Sequence, residues 1–347
     1  MEKFALIMFP DSGASIINRH KIFNRFPKQF IKVCTCIKGA TRMDAVLDRN
    51  SQIELGYIYN IPTLHYVNEG FIFDDRQRQI KLLIKELSKL EIKLVSAPFI
   101  ADIFEEEDIE RLHFNDIHVL DLNFFHILTM YMAGMELLKI LKRQLPYMNV
   151  GIWRGDTQIG ELWVSILAPY FNNMTIGGFD RYRLDSLSHR TLKETGLSCE
   201  VTNEVERCIK GKDLIILTEA IEVPIREDIL SLFSYPINVG DLKNMSGKFM
   251  FCSGIVDPCC RPVTDMVLNT WERLALNHTL FYMLNGSCRQ FIDLAEWNYE
   301  NIKKFLNTAC YLHSFSVKKL VSSFGTMTYD RFRMLYFNNT TRSKKVG

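Results

Sequence analysis

The stretch from residue 149 to about 256 constrains the fold of this chain most. Short apolar runs alternate with amphipathic ones: strand-like NVGIW, helical IGELWVSILAPYF, strand-like MTIGGF, helical YRLDSLSHRTLKETG, strand-like CEVT, helical NEVERCIKG, strand-like DLIILT and later GKFMFCSGI. Brief apolar runs bounded by turn residues read as strands buried on both faces, and the stretches between them as crossover helices. Strands joined through single helices run parallel, since a hairpin turn cannot return the chain in the same direction. The alternation therefore predicts an α/β fold built on a doubly wound parallel, Rossmann-type sheet over about 147–285. Ligands of such sheets sit beyond the C-terminal strand ends, where the strand order reverses.

A chain of 347 residues is long enough for about two domains, because single cores stop growing at roughly 250–300 residues. Before the alternating stretch, FALIMF, ELGYIYNIP and KLVSAPFI are strand-like, and DDRQRQIKLLIKELSKLEI places Ile80, Leu83, Ile84, Leu87 and Leu90 on one helical face. The acidic run Glu105 to Asp108 reads as a solvated helix start. The expected organisation is an N-terminal α/β acyl-substrate domain over 1–145, a dinucleotide-binding domain over 146–290, and a helical segment over 291–347 that packs back on the interdomain cleft, with the last ten residues frayed. The substrate assigned to the first of these comes from the resemblance described below.

Composition removes several classes. With 47% apolar and 24% charged residues the chain has the balance of a soluble globular protein, and 24 Phe, 13 Tyr and 14 Met give it an adaptable interior. A net charge of +2 supplies no basic field for nucleic acid, and no nucleic-acid motif accompanies it. Nine cysteines without regular spacing fit reduced thiols in a cytoplasmic chain better than a disulfide framework, and Cys34, Cys36, Cys259 and Cys260 lack a second ligand pair for zinc. The apolar stretch 119–138 carries Asp121, Asn123, His126 and Glu136, so a buried helix is expected there and no transmembrane segment.

NVGIWRGDTQIGELW has the form of a strand entering a helix through a phosphate-binding turn. Such a turn uses glycine for the bend, for close approach to the pyrophosphate and for packing helix on strand. Here Arg154 and Thr157 hold the first two positions, Gly160 holds the third, and Gly155 stands one residue late for the bend. Ile159 begins the apolar helix face. A phosphate at the helix N-terminus and a cap by Asp156 or Thr157 are alternatives, since a capping carboxylate takes the place of an anion. Asp180, twenty residues after Gly160, suits the ribose diol of NAD, whereas Arg181 and Arg183 suit the 2′-phosphate of NADP. Asp180 as a plain helix cap beside solvated arginines is the third reading.

Across its length the chain resembles the long-chain acyl-(acyl-carrier-protein) reductase family, NADPH-dependent enzymes that form fatty aldehydes. KFALIMFP is similar to the family's opening strand, with Phe9 for its histidine. GYIYNIPTLHYV keeps Pro62, KLVSAPFIADIF keeps Phe99, and VLDLNFFHILTMYMA keeps Asn123. NVGIWRGDTQIG lies over the Gly-x-x-Gly-x-x-Gly turn with two glycines lost. NTACYLHSFSVKKLV is similar to the helix whose cysteine carries the acyl group, which puts Cys310 in that position and His313 where the family has glutamate.

The resemblance implies reduction of an acyl thioester to an aldehyde by NADPH through an acyl-cysteine on Cys310, NADH not being excluded. Such a thiol must ionise near neutral pH. Cys310 and His313, three apart on a predicted helix, share a face on which a thiolate–imidazolium pair can form. Asn123 is a candidate for polarising the thioester carbonyl or holding the nicotinamide amide. The implied partner is an acyl carrier protein or acyl-CoA, and nine Lys or Arg against four Asp or Glu in the first 49 residues would suit an acidic carrier. Two other readings stand beside this one: a lapsed relative serving as a binding or interaction module, and a shikimate-type dehydrogenase with no covalent intermediate. His126 reads by default as a core histidine, with lining an acyl channel as the alternative.

Overall fold

The computed structural model describes residues 2–8, 41–61, 76–98, 100, 104–120, 122–226, 229–234, 249–256, 260–266, 268, 270–284, 316–322 and 325–343. In chain order these form β1 (Phe4–Met8), β2 (Thr41–Asp48), β3 (Glu54–Asn60), α1 (Arg76–Lys89), β4 (Leu94–Ser96), α2 (Glu106–Phe114), β5 (His118–Leu120) and α3 (Asn123–Ile140). There follow β6 (Asn149–Trp153), α4 (Gln158–Leu167), β7 (Asn173–Gly177), α5 (Arg181–Thr195), β8 (Glu200–Thr202), α6 (Val205–Ile209), β9 (Leu214–Leu217), β10 (Leu230–Phe233) and β11 (Phe249–Val256). Last come β12 (Pro262–Val263), α7 (Thr270–Leu284), β13 (Val317–Ser322), β14 (Gly325–Met327) and α8 (Tyr329–Ser343).

The chain divides into two compact units, Met1–Leu122 with Pro258–Leu284, and Asn123–Asp257 with Asn285–Gly347. This partition differs from the sequential division at 145 and 290. The first break falls before α3, and a later segment returns to the first unit.

The first unit holds a six-stranded sheet of order β12-β2-β3-β1-β4-β5. β3, β1, β4 and β5 are parallel, β2 runs antiparallel to β3, and β12 antiparallel to β2. FALIM is buried at every position, as expected of a parallel strand covered on both faces. The periodic face of α1 delivers Ile80, Leu83 and Leu87 to a core with Ala5, Ile7 and Val95. Thr279 of α7 donates to Ser96 of β4 at 2.7 Å in the interior. Two expectations change here. β2 occupies the end of the basic N-terminal segment, and β5 takes the start of the long apolar run, so that α3 begins only at Asn123. The acidic helix start is not wholly solvated either: Asp108 is buried, and its carboxylate accepts from the Glu105 backbone N–H at 3.1 Å, closing the first turn of α2.

The second unit carries an eight-stranded sheet of order β14-β13-β11-β10-β9-β6-β7-β8. From β11 to β8 the pairs are parallel. β6, β7 and β8 step outward in one direction and β9, β10 and β11 in the other, so the winding reverses between β6 and β9. That is the strand order of the dinucleotide-binding fold, and with the first unit it makes the protein a two-sheet α/β molecule with a doubly wound Rossmann-type half. α5 starts at an Asp180 cap and stops at Gly196, whose left-handed φ of 79° lets its N–H reach the Leu192 carbonyl.

The described part of the tail is not all helical. Val317–Ser322 pairs antiparallel with β11 and Gly325–Met327 antiparallel with β13, and VKKLVS buries Val317, Leu320 and Val321. Val317–Ser322 is thus a strand where the resemblance implied helix. Nor is the end frayed up to Ser343: α8 continues to that residue, with Phe332 packed 5.4 Å from Phe249 and 5.7 Å from Phe251. Among the described residues no helix is long and apolar enough to cross a membrane.

Candidate site at the reversal point of the second sheet

β6 ends at the reversal point, and its exit is tightly built. Arg154 takes the first turn position with φ +65°, a left-handed conformation that costs a non-glycine residue about 1–2 kcal/mol. It supplies the bend that glycine would have given. Gly155 donates its N–H to the Gly177 carbonyl of β7 at 2.9 Å, and a Cβ there would stand 2.1 Å from Ile176 Cγ2. At Gly160 a Cβ would lie 2.0 Å from the Arg154 carbonyl oxygen and 2.7 Å from Gly155 Cα. The close packing of helix on strand is thus intact, and Ile159 is half-buried beside it.

Thr157 is the cap of α4. Its hydroxyl accepts from the Gly160 N–H at 3.2 Å and donates to the Arg154 carbonyl at 2.8 Å. Asp156 turns the other way. Its carboxylate accepts from the backbone N–H groups of Phe179 and Asp180 at 3.0 and 3.1 Å and from Arg154 Nε at 2.9 Å. The Asp156 side chain is only 5% exposed, so burial works against its charge. The Asp180 N–H, the Arg154 guanidinium and the Phe179 N–H outweigh that and hold the carboxyl below its ordinary range.

The Arg154 guanidinium joins three elements. Besides Asp156 it donates from Nη1 to Glu219 Oε2 at 2.6 Å, just past β9, and it lies 4.6 Å from the centroid of the Phe179 ring. Burial pulls its pKa down, but the two carboxylates overcome that and raise it. Trp153 Nε1 donates to the other oxygen of Glu219 at 3.1 Å, and its indole meets Phe179 edge-on at 5.6 Å. Phe179 is 65% exposed, so the mouth presents an open aromatic ring beside a cation held between two carboxylates.

Asp180 caps α5, accepting from the Arg183 N–H at 3.1 Å, and its side chain remains half exposed. Arg181 is engaged by Asp185 at 3.1 Å and by the Val201 carbonyl at 3.0 Å. Arg183 reaches the Asp156 carbonyl at 3.4 Å. Arg154, Gly155, Thr157, Ile159, Gly160, Asp180 and Arg181 therefore gather at the C-terminal ends of β6 and β7, joined by Trp153, Phe179 and Glu219, which sequence reasoning missed. No local signal marks Glu219; only the strand order brings it to Arg154.

Cys310 and His313 lie outside the described residues, as do Phe9, Pro62, Phe99 and most of the basic N-terminal segment. Asn123 opens α3, with only its backbone described. His126 is buried on α3. Cys199, Cys208 and Cys252 are buried free thiols. Among the described residues no group of three or more His, Cys, Asp or Glu is placed to hold a metal ion.

No protein-family model matches the chain, and no curated protein matches it. Solved structures with some likeness include L-tryptophan dehydrogenase from Nostoc punctiforme, at 10% identity over 89% of each chain with a TM-score of 0.37. Quinate dehydrogenase from Corynebacterium glutamicum in complex with NAD shows 10% identity over 88% of this chain and 99% of that one, TM-score 0.35. Ornithine carbamoyltransferase from Pyrococcus furiosus shows 11% over 67% and 72%, TM-score 0.31. At these values the likenesses decide neither ligand nor reaction, and the fold class rests on the strand order itself.

Proposed function

We propose that the second unit takes an NAD-class dinucleotide at the mouth between β6 and β9, and that the protein is an oxidoreductase of the dehydrogenase kind. One observation carries this reading. The left-handed bend at Arg154, seated by Gly160 on the Arg154 carbonyl, retains the backbone shape of a dinucleotide turn at the one point of the sheet where such ligands bind. At the end of β7 the Asp180 carboxylate caps α5 and pairs with Arg183 at 3.6 Å, and the side chains of Asp180, Arg181 and Arg183 are all half exposed or more, so a ribose diol and a 2′-phosphate each have a partner within reach. The site suits NADH and NADPH alike, and NADPH is the cofactor that the family resemblance implies. The resemblance extends the proposal to the reaction, in which Cys310 takes an acyl group from a carrier-protein or CoA thioester and hydride from the cofactor releases an aldehyde.

The test is titration of the purified protein with NADH and with NADPH, followed by nicotinamide fluorescence. Saturable binding of a dinucleotide is expected. Failure of both to bind at millimolar concentration refutes the proposal and leaves the fold as an interaction module. Where a dinucleotide binds, assays with acyl-carrier and acyl-CoA thioesters before and after alkylation separate the chemistries. A covalent route stops in Cys310→Ala, whereas a dehydrogenase without an acyl-enzyme survives it.

A further inference from the structure

Two N–H donors from adjacent residues converge on the two oxygens of a single carboxylate: Trp153 Nε1 at 3.1 Å from Oε1 of Glu219, and Arg154 Nη1 at 2.6 Å from Oε2. A planar guanidinium with a second donor beside it is the grip proteins use on phosphate and carboxylate ligands. The two acids that share Arg154 differ in how they are held. Asp156 is 5% exposed and is anchored by two backbone N–H groups. Glu219 is 34% exposed and sits in the bend after β9, and among the described residues only the Trp153 and Arg154 side chains donate to it. Asp156 orients the guanidinium, and Glu219 fills its open side.

Resting on the dinucleotide reading above, we infer that Glu219 is a built-in competitor for the anionic group of the ligand. Its carboxylate occupies the Arg154–Trp153 fork in the free protein and is displaced when the pyrophosphate of the dinucleotide takes those donors. The position agrees with this role, because the fork lies at the C-terminal ends of β6 and β9, where the winding of the sheet reverses. The electrostatics agree as well. With Asp156 and Glu219 around one Arg154 the mouth carries an excess of one negative charge, which opposes an incoming phosphate until Glu219 leaves or is neutralised. The strength with which this site takes a phosphate-bearing ligand is therefore set by a residue the ligand displaces.

The experiment compares NADH binding to wild-type protein, Glu219→Gln and Glu200→Gln, with inorganic pyrophosphate as a competing probe. Glu200 opens β8 at the opposite strand end, so its variant removes the same charge away from the mouth. Removing one charge a few ångströms from the ligand in a partly solvated site is worth about 1–2 kcal/mol, so Glu219→Gln should bind NADH roughly tenfold tighter. Pyrophosphate should compete better to a similar degree, and Glu200→Gln should stay within about twofold of wild type. Wild-type binding with no gain in Glu219→Gln, or equal gains in both variants, overturns the inference and leaves the dinucleotide reading standing. Absence of binding in wild type and Glu219→Gln alike overturns both. Should Glu219→Gln fail to fold, Glu219→Asp, whose shorter side chain cannot span both donors, reads the same competition and must also bind more tightly.

Discussion

Replacing Arg154 by glycine restores the residue that a dinucleotide turn ordinarily has, and the structure determines whether this helps. Relief of the +65° backbone returns about 1–2 kcal/mol, from which the greater freedom of glycine in the unfolded chain removes about 0.5–1 kcal/mol. Against that gain of at most about 1.5 kcal/mol stand three lost contacts. The bond to the buried Asp156 at 2.9 Å is charge-assisted and worth about 1.5–3 kcal/mol. The pair with Glu219, a third exposed, counts for no more than about 0.5 kcal/mol after screening. The cation over Phe179 at 4.6 Å adds about 0.5 kcal/mol. The expected net result is a loss of about 2 kcal/mol, or a melting point lower by roughly 4–8 °C for a unit of this size.

The deficit should also depend on pH. Asp156 has its pKa depressed in the folded protein, so its contribution is complete above the ordinary carboxylate pKa of about 4 and is lost as pH falls through the lower folded value. Arg154→Gly removes one of the groups that depress it. The stability gap should therefore be full at pH 7 and shrink below about pH 4. Urea unfolding followed by circular dichroism at pH 7, 5 and 3.5 measures this. A variant as stable as wild type at pH 7, or a deficit that grows as the pH falls, would show that the ion pair does not compensate the bend.

Three further outcomes are expected. Gly160→Ala sets a methyl 2.0 Å from a backbone oxygen and should cost about 2–3 kcal/mol in denaturant unfolding; a loss under about 0.5 kcal/mol would mean that α4 yields freely. The buried Tyr59 hydroxyl has no hydrogen-bond partner among the described residues, and burial pushes its pKa to about 12, so Tyr59→Phe should melt at or above the wild-type temperature; a clear drop would reveal a hidden partner. Burial raises the thiol of Cys199 to about 11 and that of Cys208 to about 12, and raises Cys252 as well, so native iodoacetamide at pH 8 should leave all three unmodified by peptide mass spectrometry while Cys260 reacts; early labelling of Cys208 would contradict its packing.

What the chain reveals before folding follows the range of the forces involved. β1, β3, β6 and β9 are legible because each is an unbroken apolar run, and α1 because Ile80, Leu83 and Leu87 recur at helical spacing. The cap at Thr157 and the tight glycines at 155 and 160 are equally local. LSLF at β10 is too short to stand out, and β13 is hidden because its strand character comes from pairing with β11 and β14. In the site the missing member is Glu219, 65 residues from Arg154 and without periodicity or motif. Its role comes from the crossover that places β9 beside β6, which no local pattern encodes.

The interleaving of the two units has a consequence for biosynthesis. β12 and α7 are translated after β11 yet complete the first sheet, and β13 and β14 reach the second only later. At about 5–20 residues per second, the emerging polypeptide spends several seconds with the border strands of both sheets unpaired. Neither half can mature in simple order from the ribosome, and a holdase that shields the bare flank of β11 would serve this chain during that interval.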